Sequence, residues 1–436
     1  MRKIPQLLIG AATSGSGKTT FTTGLLRLLR NRGLRVQPYK CGPDYIDTKY
    51  HEFASGTTSV NLDLWLSSKE HVKDIYNKYA DKADVCVAEG VMGLFDGYNG
   101  MQGSSADVAR TINIPVVLLV NAKSTAYSVA ATIYGFTKFC KDINVVGVVF
   151  NNVASERHFS LLQQACCDVG VECFGFIPQL KELEVPSRHL GLTLDKRYDF
   201  NLFADRIASA IEQSVDIDKM LKHCLCDIEE QPNKKQFDAV CKPYRVAVAS
   251  DNSFNFVYIE NISKLNTVGE VVYFSPTEDE KLPECDLLYL PGGYPEFYLK
   301  ELSSNIQMRT QIKEYIESGG KTIAECGGMM YLCESIKDID GTEYDMVGVL
   351  PQKATMENMK LTLGYRTLEV NGRLWKGHEF HYSKIEDTSR TNAMNIAIAK
   401  DARGKEVATA LYRYKNTIAG YTHLYWAESD IENLWK

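Results

Sequence analysis

Short apolar runs alternate along the chain with segments in which hydrophobic residues recur every three or four positions. In the first half the apolar runs are QLLIG, DVCVAEG, IPVVLLVNA and NVVGVVFNN. After the first run, Phe21, Leu25, Leu28 and Leu29 recur at the spacing of one helix face. This alternation is typical of a parallel β-sheet covered by helices. The first half is therefore predicted to be an α/β domain.

The apolar pattern is interrupted around Pro232, where charged residues accumulate. It starts again with YRVAVASD and continues through EVVYFSP, CDLLYLPGG and GGKTIAECGG. A polar stretch between two periodic segments is typical of a linker. We therefore predict two three-layer α/β domains, at residues 1–212 and 243–436, joined by a linker at residues 213–242.

Composition narrows the class of protein. A chain of 436 residues can form two domains with their own cores, and 44% hydrophobic with 24% charged residues is typical of a soluble protein. A net charge of -6 argues against nucleic acid or an anionic membrane as the main partner. No apolar run reaches the ~20 residues that span a bilayer, and MRKIPQLLIGAA leaves no room for a signal peptide. The twelve cysteines form no C-x-x-C pair, so we expect a cytoplasmic protein with reduced, structural cysteines.

The segment GSGKTT follows a predicted strand and opens a predicted helix, which is the context of a phosphate-binding loop. Ala12 stands where the usual pattern has its first glycine, and its extra methyl group is tolerable if φ is negative. Backbone N–H groups of the loop would surround the phosphates of ATP. Lys18 would neutralise phosphate oxygens, and the Thr19 hydroxyl would reach Mg²⁺. The predicted nucleotide-binding residues are Gly15, Gly17, Lys18, Thr19, Thr20 and Lys40.

Two further segments supply acidic residues to this predicted site. YKCGPDYIDTKYH contains Asp44 and Asp47, and the strand in ADVCVAEGVMGLFDG runs into Glu89 and then Asp96. Phosphate-loop enzymes place a second magnesium ligand at the end of such a strand. Each acid by itself could be a solvated loop residue or a helix cap, but their combination with GSGKTT favours a metal site. The predicted metal ligands are Thr19, Asp47 and Glu89.

A second candidate site lies in KTIAECGGMMYL, where a short strand runs into Cys326, two glycines and a helical pattern. This order resembles the turn that exposes a nucleophile at the carboxyl edge of a sheet. The N–H of Gly327 could face a developing oxyanion, with Gly293 in a second donor loop. We expect the helix N-terminus to lower the pKa of the thiol. The candidate bases are His378, His381 and His423, and spacing does not choose among them.

Taken together, these motifs resemble those of the cobyrinic acid a,c-diamide synthases, the glutamine-dependent amidotransferases of corrinoid biosynthesis. The resemblance covers essentially the whole chain. It implies a P-loop NTPase-like domain that forms amides with ATP, followed by a class I glutamine amidotransferase-like domain with a flavodoxin-like fold. The motifs that carry it are SGSGKTT, CGPDYID, EGVMGLFDG, SSADVAR, RHLGL, LPGGYPE, AECGGMMYL and GHEFHYS.

The resemblance also implies roles for residues and partners. Cys326 is the expected nucleophile, and His423, in YTHLYW, its expected base. Cobyrinic acid or a related tetrapyrrole, L-glutamine and ATP are the expected substrates, and a homodimer is the expected assembly. Arg188 and His189 are candidates for contacts to the acceptor carboxylates. The residues expected near ATP, magnesium and the acceptor are Lys18, Thr19, Asp44, Asp47, Glu89 and Asp96.

The chain departs from the family pattern at two positions. Asn121 stands where the family often has an aspartate, which puts one nucleotide contact in question. Tyr425 stands two residues beyond His423, where many class I glutaminases carry an acid, and the nearest acid downstream is Glu428. We therefore expect a Cys–His pair without the usual carboxylate.

Three other functions remain open at the level of the sequence. A nickel-sirohydrochlorin a,c-diamide synthase would use the same motifs on another acceptor. A P-loop ATPase switch with a non-catalytic glutaminase-like lobe would hydrolyse ATP without turning over glutamine, which the intact turn at Cys326 argues against. A plain glutaminase would leave the first domain without a role.

Overall fold

The computed structural model describes residues 2–179, 199–228, 244–386 and 394–436, and the chain divides into two compact units, Met1–Lys235 and Gln236–Lys436. The first unit is built on a parallel sheet whose strand order is β3-β2-β4-β1-β5-β6-β7. Its strands are β1 (Arg2–Ala11), β2 (Val36–Cys41), β3 (Val60–Leu62), β4 (Val85–Glu89), β5 (Val116–Asn121), β6 (Val145–Val153), β7 (Cys173–Pro178) and β8 (Leu225–Ile228). This sheet agrees with the predicted α/β class.

Helices connect the parallel strands because such strands cannot be joined by tight turns. They are α1 (Lys18–Asn31), α2 (Ile46–Ser55), α3 (Lys69–Ala80), α4 (Ser105–Ile112), α5 (Val129–Lys138), α6 (Glu156–Val169), α7 (Phe200–Ser214) and α8 (Ile217–His223). The apolar face of α1 predicted from the sequence is buried, and its Leu25 and Leu29 pack in one core with Leu7 and Ile9 of β1. That packing fixes the phosphate-loop segment between β1 and α1 against the sheet.

The beginning of the predicted linker is folded, which corrects the interpretation of residues 213–228. Helix α8 buries Ile217 and Met220 in the core of the first unit. Strand β8 then pairs antiparallel with β1, with Lys3 opposite Asp227. Apolar and polar residues alternate in this stretch because only one face of a short helix and of an edge strand needs apolar side chains. The rest of the predicted linker, residues 229–243, lies outside the described residues.

The second unit has a central mixed sheet with the order β10-β9-β11-β12-β22-β21-β19, in which the first five strands are parallel. Two four-stranded sheets, β14-β13-β15-β18 and β20-β16-β17-β23, accompany it. The strands are β9 (Tyr244–Ala249), β10 (Gly269–Phe274), β11 (Leu287–Leu290), β12 (Lys321–Glu325), β13 (Cys333–Lys337), β14 (Glu343–Asp345), β15 (Leu350–Thr355), β16 (Thr362–Val370), β17 (Arg373–His381), β18 (Lys384–Glu386), β19 (Met394–Asn395), β20 (Ile398–Asp401), β21 (Leu411–Tyr414), β22 (Thr417–Gly420) and β23 (His423–Leu424).

Alternate residues of the central strands enter two separate cores. Ala247 and Ala249 of β9 pack in one core with residues from the helices that cover that face, whereas Val246 and Val248 pack in the other. This second core includes Leu265, which lies on a helix, and also residues of β16. The layer on this face of the central sheet was predicted to be helical, but it is formed partly by a second sheet. The helices are α9 (Ile259–Val268), α10 (Leu299–Ser304), α11 (Ile306–Glu317) and α12 (Gly327–Leu332).

Two expectations from the sequence concern membrane-spanning helices and the state of the cysteines. No helix among those residues is long and apolar enough to cross a bilayer. The cysteines of the described residues are free, and Cys86, Cys166, Cys224 and Cys333 are buried in the manner of small apolar side chains.

Candidate active sites

The loop between β1 and α1 contains two glycines in conformations that other residues rarely adopt. Gly15 and Gly17 have φ of 73° and 94°, which is a region that favours glycine. A Cβ atom on Gly17 would lie 2.2 Å from Nδ2 of Asn151, which itself donates to the Ser16 carbonyl at 2.9 Å. Ala12 is not among the residues with positive φ. The alanine in place of the first glycine therefore causes no backbone strain.

The side chain of Lys18 turns toward the loop that follows β4. Its Nζ donates to the carbonyl of Met92 at 2.6 Å, and Met92 has a φ of 52°. Gly93 comes next, and a Cβ atom there would lie 2.6 Å from the carbonyl oxygen of Ala12. The segments after β1 and β4 thus pack closely at the carboxyl edge of the sheet, with the lysine ammonium between them.

Four predicted site residues meet below this loop. Thr19 Oγ1 donates to Glu89 Oε1 at 2.8 Å and to Asp47 Oδ2 at 3.3 Å. Lys40 Nζ donates to the same two oxygens, at 2.8 Å and 2.6 Å. All four side chains are buried. Strands β2 and β4 are neighbours in the sheet with Lys40 opposite Glu89, which explains why residues 49 positions apart can pair.

His51 belongs to this cluster and was missed by the sequence analysis. The ring is fully buried, and its Nε2 lies 2.7 Å from Glu89 Oε2 while Nδ1 lies 3.1 Å from Ser59 Oγ. Asp47 and His51 are four residues apart on α2, so they share one helix face. That spacing in YIDTKYH was the available signal, but the histidine was not considered beside the acids.

The charges of the cluster stabilise one another. Burial by itself would lower the pKa of Lys40, but the carboxylates of Asp47 and Glu89 raise it above its usual value. Burial would likewise raise the pKa of Glu89, but Lys40 and then His51 lower it below its usual value. The Lys40 ammonium and the Glu89 carboxylate are therefore stabilised in their charged forms inside the first unit.

The chemistry of these donors fits Mg²⁺. The hydroxyl oxygen of Thr19 and one oxygen each of Asp47 and Glu89 lie together, and Mg²⁺ prefers oxygen ligands of this kind. Within the described ranges no group of three or more His, Cys, Asp or Glu side chains could hold a metal ion. Mg²⁺ is commonly held by one or two carboxylates together with water and substrate phosphates. The predicted metal ligands are thus compatible with a magnesium–nucleotide complex.

Other predicted residues of the first unit lie near the cluster but shape its loops. Asp44 Oδ1 accepts the N–H groups of Ile46 and Asp47 at the start of α2, both at 2.8 Å. Asp96 accepts the N–H of Gly93 at 3.0 Å. Thr20 lies on α1 and is half-buried. Their contacts to nucleotide or acceptor stay predictions.

Asn121, the first departure from the family pattern, ends β5 and is exposed. Its Oδ1 accepts from the side chain of Asn152 and from the backbone of Lys123, both at 3.1 Å. The amide therefore organises the loop after β5. Arg188 and His189 lie outside the described residues.

In the second unit, Cys326 occupies a strained turn between β12 and α12. Its φ of 46° and ψ of -107° lie outside the usual regions for a residue with a side chain. The backbone N–H donates to the carbonyl of Gly420, the last residue of the neighbouring strand β22, at 2.7 Å. This turn between a strand and a helix is the arrangement that the sequence predicts for a nucleophile.

The prediction of a lowered thiol pKa was wrong. Burial raises the pKa of the Cys326 thiol well above its usual value, and the neighbouring acidic side chains of Glu296, Glu379 and Glu325 raise it further. Only the N–H of Gly327 lowers it. A helix of six residues at a buried position does not outweigh desolvation. The thiol therefore needs a base at neutral pH.

His423 is the candidate base that lies at the same sheet edge. It follows β22 by three residues, and β22 is the neighbour of β12. A Cβ atom on Gly292, just beyond β11, would lie 2.1 Å from Cε1 of His423. Burial lowers the pKa of His423 to about 3, with additional contributions from His378 and His381. The imidazole is therefore neutral at physiological pH.

The other two histidines have different surroundings. His378 lies on β17 directly opposite His423 of β23. The ring of His381 stacks on Tyr421 at 3.7 Å between centroids, and its Nδ1 lies 2.8 Å from the carbonyl of Ser383. Both histidines belong to β17, and both lie next to the segment that carries His423.

The two predicted oxyanion residues lie side by side. A Cβ atom on Gly327 would lie 3.2 Å from the backbone N of Gly293 and 2.8 Å from Cδ of Pro295. Gly293 has a φ of 159°, and a side chain there would collide with the carbonyl of Ser253. The close approach of the two backbones explains the glycines at these positions.

Comparison with known proteins identifies both domains of the chain. The CobQ/CobB/MinD/ParA nucleotide binding domain matches residues 7–192, and the CobB/CobQ-like glutamine amidotransferase domain matches residues 245–431. The cobyrinate a,c-diamide synthase of Picrophilus torridus is 41% identical, over 97% of this chain and 96% of its own. The chain belongs to the cobyrinate a,c-diamide synthase family.

Two further members of this family extend the comparison. The cobyrinate a,c-diamide synthase of Caldanaerobacter subterraneus subsp. tengcongensis is 39% identical, over 96% of this chain and 94% of its own. The hydrogenobyrinate a,c-diamide synthase of Brucella abortus is 38% identical, over 96% and 97%. Both domains of the cobyrinate a,c-diamide synthase family are therefore present, which agrees with a glutamine-dependent amidating ligase and confirms the predicted two-domain fold class.

Two acidic residues of this family member lie close to the Cys326 turn and were not among the predicted site residues. Glu325 precedes the cysteine, and its carboxylate accepts from Tyr289 and from the backbone of Leu424. Glu379, in GHEFHYS, pairs with Arg366 at 2.8 Å. For Glu325 the available signal was its position next to the predicted nucleophile, but the sequence analysis interpreted it only as the end of a strand.

Proposed function

We propose that this protein amidates the a and c side-chain carboxylates of cobyrinic acid, with ATP as the source of activation and glutamine as the source of nitrogen. The observation that carries the proposal is the presence in one chain of a phosphate loop next to a buried Lys40–Asp47–Glu89 cluster and of Cys326 at a strand-to-helix turn, with His423 three residues beyond the neighbouring strand β22. The names of the relatives supply the acceptor.

Ammonia is released at the second site. Sγ of Cys326 attacks the side-chain amide carbon of glutamine, and neutral His423 accepts the thiol proton. The N–H groups of Gly327 and Gly293 donate to the oxyanion that forms on the amide oxygen. His423 then returns its proton to the departing nitrogen, so that ammonia leaves and a thioester remains. Water hydrolyses the thioester to glutamate and restores the thiol.

The acceptor is activated at the first site. An oxygen of its carboxylate attacks the γ-phosphorus of ATP, and the bond to the leaving oxygen of ADP breaks, which gives an acyl phosphate. Backbone N–H groups of the phosphate loop and the Lys18 ammonium hold the phosphate oxygens during this transfer. Thr19, Asp47 and Glu89 would hold Mg²⁺, which when bound neutralises phosphate charge.

Ammonia then attacks the acyl carbon and displaces phosphate, which leaves the amide. Ammonia is protonated in bulk water and loses its nucleophilicity, so it must reach the acyl phosphate in a shielded environment. Repetition at the second carboxylate would give the a,c-diamide. A cytoplasmic location and a homodimer stay predictions.

A second acceptor deserves the same test because one relative is named a hydrogenobyrinate a,c-diamide synthase. Hydrogenobyrinic acid lacks the metal of cobyrinic acid, and both offer the same type of side-chain carboxylate. We propose cobyrinic acid first because the two relatives with 39% and 41% identity are named for it.

The test incubates the protein with Mg·ATP, amide-¹⁵N glutamine and one acceptor, and counts labelled amides by mass spectrometry. The acceptors are cobyrinic acid, hydrogenobyrinic acid and nickel-sirohydrochlorin. Two labelled amides are expected on cobyrinic acid. Cys326→Ala should lose labelling from glutamine but keep amidation with added ammonia, whereas Cys333→Ala, at a buried cysteine on β13, should keep both.

The outcomes separate the candidate functions. Amidation of nickel-sirohydrochlorin or hydrogenobyrinic acid, with none on cobyrinic acid, would replace the proposed acceptor. ATP hydrolysis without amidation of any acceptor, from glutamine or from ammonia, would instead favour an ATPase switch. Hydrolysis of glutamine alone would favour a plain glutaminase.

A further inference from the structure

The residues on either side of His423 are each held by a buried acidic side chain. The backbone N–H of Leu424 donates to Glu325 Oε1 at 2.9 Å. The hydroxyl of Thr422 donates to Glu379 Oε1 at 3.2 Å. Both acidic side chains are almost completely buried, at 3% and 1% exposure. Buried acids are uncommon, so two of them around three consecutive residues call for an explanation.

Each of these acidic side chains is itself fixed from a separate strand. Glu325 Oε2 accepts the hydroxyl of Tyr289 at 2.7 Å, and Tyr289 is a buried residue of β11. Glu379 Oε2 pairs with Arg366 of β16 at 2.8 Å. Two hydrogen bonds at Glu325, and one hydrogen bond with one ion pair at Glu379, restrict the rotation of these side chains. The two acceptors are therefore rigid supports for the segment that carries His423.

The backbone of this segment is also enclosed on one side. Strand β23 pairs with β17, with His378 opposite His423 and Gly377 opposite Leu424. A Cβ atom on Gly377 would lie 2.4 Å from the carbonyl oxygen of His423. The two strands are thus in close contact, and the segment cannot move toward β17. Glu325 holds it from the side of β12.

We propose that Glu325 and Glu379 are positioning residues that hold His423 beside Cys326 through its two neighbours in the chain. This inference rests on the proposed release of ammonia by Cys326 and His423. Tyr425 occupies the position two residues beyond the histidine where a carboxylate often orients the ring. Holding the backbone before and after His423 fixes the position of its Cα atom.

Glu325 has a second effect on the site because it directly precedes Cys326 in the chain. A displacement of β12 moves the nucleophile and, through the Leu424 hydrogen bond, also moves the segment of the base. Glu325 therefore couples the position of the nucleophile to that of the segment that carries His423. A misplacement of about 1 Å between reacting groups can cost on the order of 100-fold in rate.

The experiment compares matched pairs of variants in the full-length protein. Glu325→Gln keeps a carbonyl acceptor for Leu424, whereas Glu325→Ala removes it. Thr422→Ser keeps the hydroxyl, whereas Thr422→Val replaces it with a methyl group of similar size. Glutamine-dependent and ammonia-dependent amidation are measured for each variant, together with kcat and KM for glutamine and thermal unfolding.

The Ala and Val variants should lose on the order of 10- to 100-fold in glutamine-dependent kcat. KM for glutamine should change by less than about threefold, because the substrate contacts themselves remain. The Gln and Ser variants should retain kcat within about threefold. A purely structural role would instead lower glutamine-dependent and ammonia-dependent rates together, with a lower unfolding temperature, and would overturn the proposal.

Equal glutamine-dependent kcat in all four variants would also overturn it. If Glu325→Ala does not fold, the comparison of Thr422→Val with Thr422→Ser tests the proposal, since Thr422→Val removes only the hydroxyl oxygen. Failure of the proposed function is recognised separately in the wild type, where glutamine would support no amidation although added ammonia does. That result would remove the basis of this inference as well.

Discussion

Lys40 Nζ lies 2.6 Å from a carboxylate oxygen of Asp47 inside the first unit, and both side chains are buried. The same ammonium lies 2.8 Å from Glu89. Charged groups of this kind are stable in a protein interior only when they are paired and hydrogen-bonded. The lysine is thus as much a part of the folded core as of the candidate site.

Lys40→Met should destabilise the protein by about 3 to 5 kcal/mol, because it leaves Asp47 and Glu89 buried without their cation. Lys49→Met is the matched control on α2, where Lys49 pairs with Glu52 at 3.1 Å with 40% and 29% of the side chains exposed. Its expected cost is below about 1 kcal/mol. Urea unfolding without Mg²⁺ or nucleotide measures both, and equal costs would contradict the prediction.

Gly17→Ala should abolish nucleotide binding, because the new methyl group would lie 2.2 Å from Nδ2 of Asn151 at a φ of 94°. Gly33→Ala is the control, since Gly33 has a φ of 81° but no atom within 4 Å of the added Cβ. That variant should lose only about 1 to 2 kcal/mol of stability from backbone strain. Calorimetric titration with Mg·ADP distinguishes the two. Normal binding by Gly17→Ala would show that Asn151 can move aside.

His51→Ala should weaken magnesium-dependent nucleotide binding by about 10- to 100-fold, because the ring orients Glu89 through a 2.7 Å contact. Ser59→Ala removes the partner of the other ring nitrogen and should have a smaller effect in the same direction. His223→Ala, at an exposed position on α8, should leave binding unchanged. Titration of Mg²⁺ at fixed nucleotide reports the difference. Equal affinities in all three variants would mean that Glu89 is held without the histidine.

Glu325 should make the stability of the second unit depend on pH. Burial raises the pKa of its carboxyl to about 8, from an ordinary value of 4.5. Between these values the folded protein retains a proton that the unfolded chain has lost. The contribution of Glu325 to the free energy of unfolding is therefore largest below about pH 4.5 and falls as the pH rises to about 8.

Glu325→Gln removes this contribution because an amide does not titrate. The variant should gain stability relative to the wild type between pH 5 and pH 8, by at least about 1 kcal/mol. Glu334→Gln, at an exposed position on β13, should show no such change. Urea unfolding at the two pH values measures the difference. The same difference for both variants, or none for Glu325→Gln, would contradict the expected protonation.

Much of the first unit could be predicted from the sequence because its signals are local. The phosphate loop is formed by consecutive residues, and strands β1, β4, β5 and β6 each contain a short apolar run. The acids at strand ends could be grouped because parallel strands end at one edge of the sheet. His51 was missed because its contact with Glu89 joins a helix to a strand 38 positions away.

The second unit was predicted less completely. The strands β9, β10, β11 and β12 have clear apolar patterns, whereas the two four-stranded sheets consist largely of short strands with mixed composition. Such strands are stabilised by cross-strand partners rather than by their own sequence. The stretch at residues 217–228 was interpreted as linker for the same reason, since its pairing with β1 spans most of the first unit.

The sequence by itself determined the fold class, the phosphate loop and the cysteine at a strand end, since each depends on neighbouring residues and on backbone geometry. Only the tertiary structure brought Leu424 and Thr422 to Glu325 and Glu379. It also decided the ionisation of the buried groups, so that the pKa of Cys326 is raised although a helix begins beside it. Burial and electrostatic interactions depend on residues far apart in the chain, which no local pattern encodes.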